Sequence, residues 1–145
     1  MSNSVAIPGD NGHLKLEIVG YENPHSKDFD DANWLEARLE VKAEPFRGAI
    51  KLALTTDELE SLHQQFAKAK RSLSDRADFM SMEDTFSLNV EFSRTGVATL
   101  CGVVTPEGGQ GNSLHYRFCS DPVTLEAAVN EFARLIERFP AKQSA

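Results

Sequence analysis

The hydrophobic period of this chain changes twice in the same way, from strict alternation to helical spacing, and that change limits the folds open to it. From His13 to Gly20, Leu14, Leu16 and Ile18 share one side while Lys15 and Glu17 take the other. After a long loop, Tyr21 to Asn33, the alternation resumes from Trp34 to Ala43, with Leu35, Ala37, Leu39 and Val41 inward and Glu36, Arg38, Glu40 and Lys42 outward. Glu44-Pro45 breaks that strand, and Phe46 to Leu54 forms a third. At Thr55 the spacing becomes helical: Leu59, Leu62, Phe66, Ala69 and Leu73 recur in steps of three and four, and Thr55 with Glu58 has the spacing of a capping box.

Ser72 to Asp84 reads as a polar linker, after which the pattern starts again. Phe86 to Phe92, Val97 to Val104 and Ser113 to Cys119 read as strands, the last two joined by a glycine-rich loop from Thr105 to Asn112. Ser120-Asp121-Pro122 then supplies a capping residue and an N1 proline for a second helix. Its stripe is Leu125, Ala128, Val129, Phe132, Ile136 and Phe139, and Pro140 ends it. The order is βββα-βββα, and its most economical packing is α+β: one antiparallel six-stranded sheet with two helices on one face and the other face wet. That wet face would carry Lys15, Glu17, Glu36, Arg38, Glu40, Lys42, Lys51, Asn89, Glu91, Thr99, His115 and Arg117. Residues 1–12 and 141–145, small and polar, are expected to fray around a single domain spanning 13–140.

Composition narrows the class. A chain of 145 residues can bury a core without disulfides or metals, and Cys101 and Cys119 sit in apolar stretches that suit reduced thiols. No apolar run reaches the length of a membrane span and no secretory leader pattern opens the sequence, so a cytoplasmic protein is expected. A net charge of −7 disfavours nucleic acid as partner and favours a basic protein. Unless the sheet closes, its two edges would also allow pairing with a second copy as a homodimer.

Catalytic and cofactor patterns are absent. There is no P-loop, no nucleophile elbow and no zinc spacing among His13, His25, His63 and His115. The cluster Asp28, Asp30, Asp31 fails as a calcium loop, because Ala32, Asn33 and Leu39 fall where ligands or the turn glycine are required. No enzyme, metal or cofactor is therefore expected. Trp34 falls by parity on the polar face, either closing the end of the core or standing out as an anchor for a partner.

The stretch Leu16-Glu17-Ile18-Val19-Gly20-Tyr21, the acidic loop, and Asp31-Ala32-Asn33-Trp34-Leu35 together resemble the opening of the WapI-like immunity protein family. The likeness continues in Leu54-Thr55-Thr56-Asp57-Glu58-Leu59, in Phe86-Ser87-Leu88, and in the helix ending Arg138-Phe139-Pro140. It implies a small, non-enzymatic bacterial cytosolic protein that binds and blocks a toxin domain, typified by a nuclease toxin. Charge then picks the contact surface. Between Glu22 and Glu44 seven acids face three bases, which nominates Asp28, Asp30, Asp31, Trp34, Glu36, Glu40 and Glu44. Two other readings fit a small acidic α+β chain: a dimeric secretion chaperone, and a small-ligand site between the helices and the Thr105 to Asn112 loop.

Overall fold

The computed structural model describes residues 3–71, 76–81, 83–106 and 111–142; Leu73 and the glycines at 108 and 109 lie outside the described residues. The chain is α+β, and the repeat is richer than the alternation predicts. Each half is a four-stranded antiparallel meander followed by a helix. The first comprises β1 (Ser4–Pro8), β2 (Gly12–Tyr21), β3 (Trp34–Ala43), β4 (Phe46–Thr55) and α2 (Thr56–Arg71), with a single helical turn, α1 (Phe29–Ala32), between β2 and β3. The second comprises β5 (Arg76–Met80), β6 (Ser87–Phe92), β7 (Ala98–Val104), β8 (Leu114–Ser120) and α3 (Pro122–Arg138).

This corrects the single six-stranded sheet. The strands form two sheets, ordered β1-β2-β3-β4 and β5-β6-β7-β8. Alternation shows which side of a strand is buried but not which strand lies beside it, so it carried no information about the break between β4 and β5. Two short strands were also hidden. Ser4–Pro8 falls in the stretch expected to fray, and Arg76–Met80 in the expected polar linker. Both alternate over only five residues, with Val5 and Ile7 in one, and Ala77 and Phe79 in the other, turned into the core.

The helices complete the repeat by exchange. α2 packs along β5 and α3 along β1, so each helix covers the first strand of the opposite half. The match extends to single bonds. Gln65, the tenth residue of α2, accepts from the backbone N–H of Asp78, third in β5, at 2.9 Å; Glu131, tenth in α3, accepts from that of Ala6, third in β1, at 3.1 Å. Phe66 and Phe132, the next residues along, stack on each other with centroids 5.4 Å apart. Inward side chains of both sheets and both helices then form one core, from Ile7, Leu16 and Leu39 through Leu62 and Phe132 to Leu88 and Phe118. The helix caps form as the sequence predicts. Glu58 N–H donates to Thr55 Oγ1 while Glu58 Oε1 accepts from Thr55 N–H, and Asp121 accepts from Thr124 N–H with Pro122 behind it.

A backbone clamp ties the β1–β2 hairpin to β8. Asp10 N–H donates to the Cys119 carbonyl at 3.0 Å, Cys119 N–H donates to Asp10 Oδ1 at 2.9 Å, and Ser120 Oγ donates to the Pro8 carbonyl at 2.7 Å. Gly9 makes the approach possible, since a Cβ there would lie 2.2 Å from Phe118 Cδ2 and 2.5 Å from the Cys119 carbonyl. The Cys119 N–H holds the Asp10 carboxyl below its ordinary value of 3.8. A depressed carboxylate contributes stability that is present above its unfolded value and lost as pH falls through its folded one.

Two outcomes are expected. Phe132→Ala, which removes half of the central stack, destabilises the chain by about 3–5 kcal/mol in urea unfolding at neutral pH. Asp10→Asn keeps the shape but cannot titrate, so the stability advantage of the native chain over it is present at about pH 5 and shrinks as pH is lowered below about 4.

Candidate functional site

The exchange of helices leaves a groove at each end of the molecule, where the N-terminus of a helix, the start of a third strand and the first strand of the other half converge. At one end lie Ser120, Asp121 and Thr124, Val97 just ahead of β7, and Pro8 to Asp10. Its two carboxylates are occupied, Asp10 by Cys119 N–H and Asp121 by Thr124 N–H. At the other end the matching parts are Thr55 to Glu58 with Ser61 and Gln65, Trp34 at the start of β3, and Asp78 to Met80 of β5.

The second groove differs because the first half carries an insertion. β6 and β7 are joined by a tight turn at 93–97, with Gly96 at φ +87°. Their counterparts β2 and β3 are separated by residues 22–33, which bring Asp30 and Asn33 to the groove wall. The groove holds roughly 650 Å³. Phe79 and Trp34 give it apolar walls, and Met80, 60% exposed, stands at its lip. Among the described residues its charged rim is acidic: Asp30, Asp57, Glu58 and Asp78. Glu58 is engaged in the capping box, whereas the carboxylates of Asp30, Asp57 and Asp78 are exposed and make no ion pair among the described residues.

The seven nominated positions therefore separate. Asp30 and Trp34 come together at the groove. Trp34 is half-buried opposite Thr55, so its ring serves as wall and stays accessible. Asp28 is the N-cap of α1, its carboxylate accepting from Asp30 and Asp31 N–H at 2.9 and 3.3 Å, and Asp31 is exposed on that turn. Glu36, Glu40 and Glu44 run along and beyond the open face of the first sheet, interleaved with bases. Cross-strand neighbours there include Lys15 with Glu40 and Glu17 with Arg38; Glu40 also lies 3.4 Å from His13 Nε2, and Glu44 lies 3.1 Å from Lys42 Nζ. Reading acids by sequence position missed Asp57 and Asp78. The first is explained locally as a helix-start acid, and the second lay in the unrecognised β5; the alternation Arg76, Asp78, Met80 against Ala77, Phe79 is the signal that marks it as a strand.

Among the described residues no group of three or more His, Cys, Asp or Glu is placed to hold a metal ion, and no helix is long and apolar enough to cross a membrane. Cys101 and Cys119 are free and half-buried. Of the Thr105 to Asn112 loop, the described residues line neither groove.

Residues 6–140 match the family model described as the immunity protein WapI-like family. No curated protein matches the chain.

Trp34 is the only tryptophan, so its fluorescence reports on this groove alone. Caesium should quench it more efficiently, relative to iodide, than in the double variant Asp57→Asn/Asp78→Asn, because the native rim concentrates cations and repels anions. The difference should fade above about 0.5 M salt.

Proposed function

This chain belongs to the immunity protein WapI-like family, and from that premise we propose that it binds and neutralises a toxin domain by seating a basic segment of it in the acidic groove. The family match over nearly the whole chain carries the reading. The groove supports it by joining the three attributes that a partner-binding patch needs: an aromatic wall, an apolar floor and three exposed carboxylates without partners of their own among the described residues.

A nuclease is the toxin class that suits this surface best. Its substrate cleft must attract phosphates and so presents Lys and Arg, which the rim of Asp30, Asp57 and Asp78 complements. Blocking such a cleft needs no catalysis from the inhibitor, only tight occupancy. Lys or Arg side chains can also lie over the Trp34 ring, adding a cation–π contribution of roughly 0.5–2 kcal/mol. The protein would act in the cytoplasm, where an incoming or newly made toxin meets its target.

The test pairs this chain with a toxin-like domain from a neighbouring gene of its genome, sought for the purpose. The native chain should bind that domain and protect cells producing it. Asp57→Lys/Asp78→Lys should weaken binding by about tenfold or more, mainly by slowing association. Glu36→Lys/Glu40→Lys, on the mixed-charge face, should weaken it far less. Absence of binding and protection by the native chain would remove the reading, and equal losses for both pairs would move the contact to the open sheet face.

A further inference from the structure

The insertion that distinguishes one half from the other is held by the end of the chain. Asn33, 5% exposed, closes the insertion: its Oδ1 accepts from Lys142 N–H at 2.6 Å and its Nδ2 donates to the Lys142 carbonyl at 3.2 Å. Its own carbonyl accepts from Thr56 N–H at 2.9 Å, so the same residue reaches the first turn of α2 across the groove. Lys142 Nζ donates to the Pro24 carbonyl at 3.1 Å and lies 4.2 Å above the ring of Tyr21. Tyr21 Oη donates to the Pro140 carbonyl at 2.6 Å, and its ring meets Phe139 edge-on at 5.8 Å. A bulge in β2 aims Tyr21 there. The register shifts between Ile18 and Gly20, which turns Tyr21 to the inner face opposite Leu35.

Ala141 and Lys142, at the start of the tail expected to fray, run on past the Phe139 cap of α3 as a strap against the insertion. These contacts also bring together segments far apart in the sequence, Tyr21 and Asn33 from the first half and Phe139 to Lys142 from the second. At the corresponding place the second half has only a tight turn, 93–97, among the described residues. Binding residues lie disproportionately on loops carried by a rigid scaffold, and a loop bearing a contact surface binds more tightly when it is ordered beforehand.

We infer that Asn33 and the 139–142 strap are positioning elements of the binding groove: they hold the 22–33 insertion against α2 so that Asp30 and Trp34 stand in place before a partner arrives. The inference rests on the groove being the binding surface, and its test separates the two ideas. Two variants of the full chain, Asn33→Ala and Lys142→Pro, cut the clasp from opposite sides, the second leaving every core side chain untouched. Amide exchange across 22–33 should accelerate by about tenfold in both, and acrylamide quenching of Trp34 should rise, with exchange in β6 and β7 unchanged. Lys142→Ala, which keeps the backbone bonds to Asn33, should show a smaller change.

Both clasp variants should also release the toxin domain about tenfold faster. Unchanged exchange in Lys142→Pro overturns the clasp whatever the toxin does. Faster exchange with unaltered release overturns its role in positioning. If the native chain binds no toxin domain, the reading of the groove falls, and a positioning role for a binding groove falls with it even where exchange shows the clasp to exist.

Discussion

Each helix buries its apolar stripe against the first strand of the other half, and the rest of the structure follows from that exchange. A four-stranded meander with one apolar face cannot shelter itself, and one amphipathic helix behind it leaves its edge strand open. Here α3 covers β1 and α2 covers β5, with Glu131 and Gln65 each capping a backbone N–H of the strand beneath. Phe66 and Phe132 meet where the two arrangements touch. The halves thus share one core, and the Asp10 clamp to β8 fastens them a second time.

The same exchange makes the proposed binding surface. Packing a helix start against a strand from elsewhere leaves a cleft at each end, and the two clefts would be alike but for what each half adds. One has its carboxylates engaged by backbone N–H groups, so its charge serves the fold. The other gains Trp34 and the 22–33 insertion, and keeps Asp30, Asp57 and Asp78 without ion pairs among the described residues. The open face of the first sheet, although rich in acids, interleaves them with Lys15, Arg38, Lys42 and Lys51, which leaves little net field for a partner to follow.

How much of this was legible depended on the range of the signal. The long strands, both helices and their caps were readable because alternation, helical spacing and cap chemistry are local. Val5 and Ile7 in β1, and Ala77 and Phe79 in β5, were too few to stand out beside a Pro-Gly turn and a polar stretch, yet these two strands decide the architecture. The division into two sheets was not readable because pairing partners are chosen by tertiary packing. For the candidate groove, charge counting along the sequence included its Asp30 and Trp34 together with Glu40 and Glu44, whose bases are close in space. Asp57 and Asp78 join Asp30 only through the folding of segments far apart in the chain.

The central claim is that the acidic groove, rather than the open sheet face, receives the toxin. Hydrogen exchange on this chain with and without a toxin domain that it binds measures that directly. Slowed exchange is expected over residues 30–34, the first turn of α2 and β5, with β3 and β4 near Glu40 and Lys51 unaffected. Protection confined to β3 and β4, with the groove exchanging as in the free chain, would contradict it.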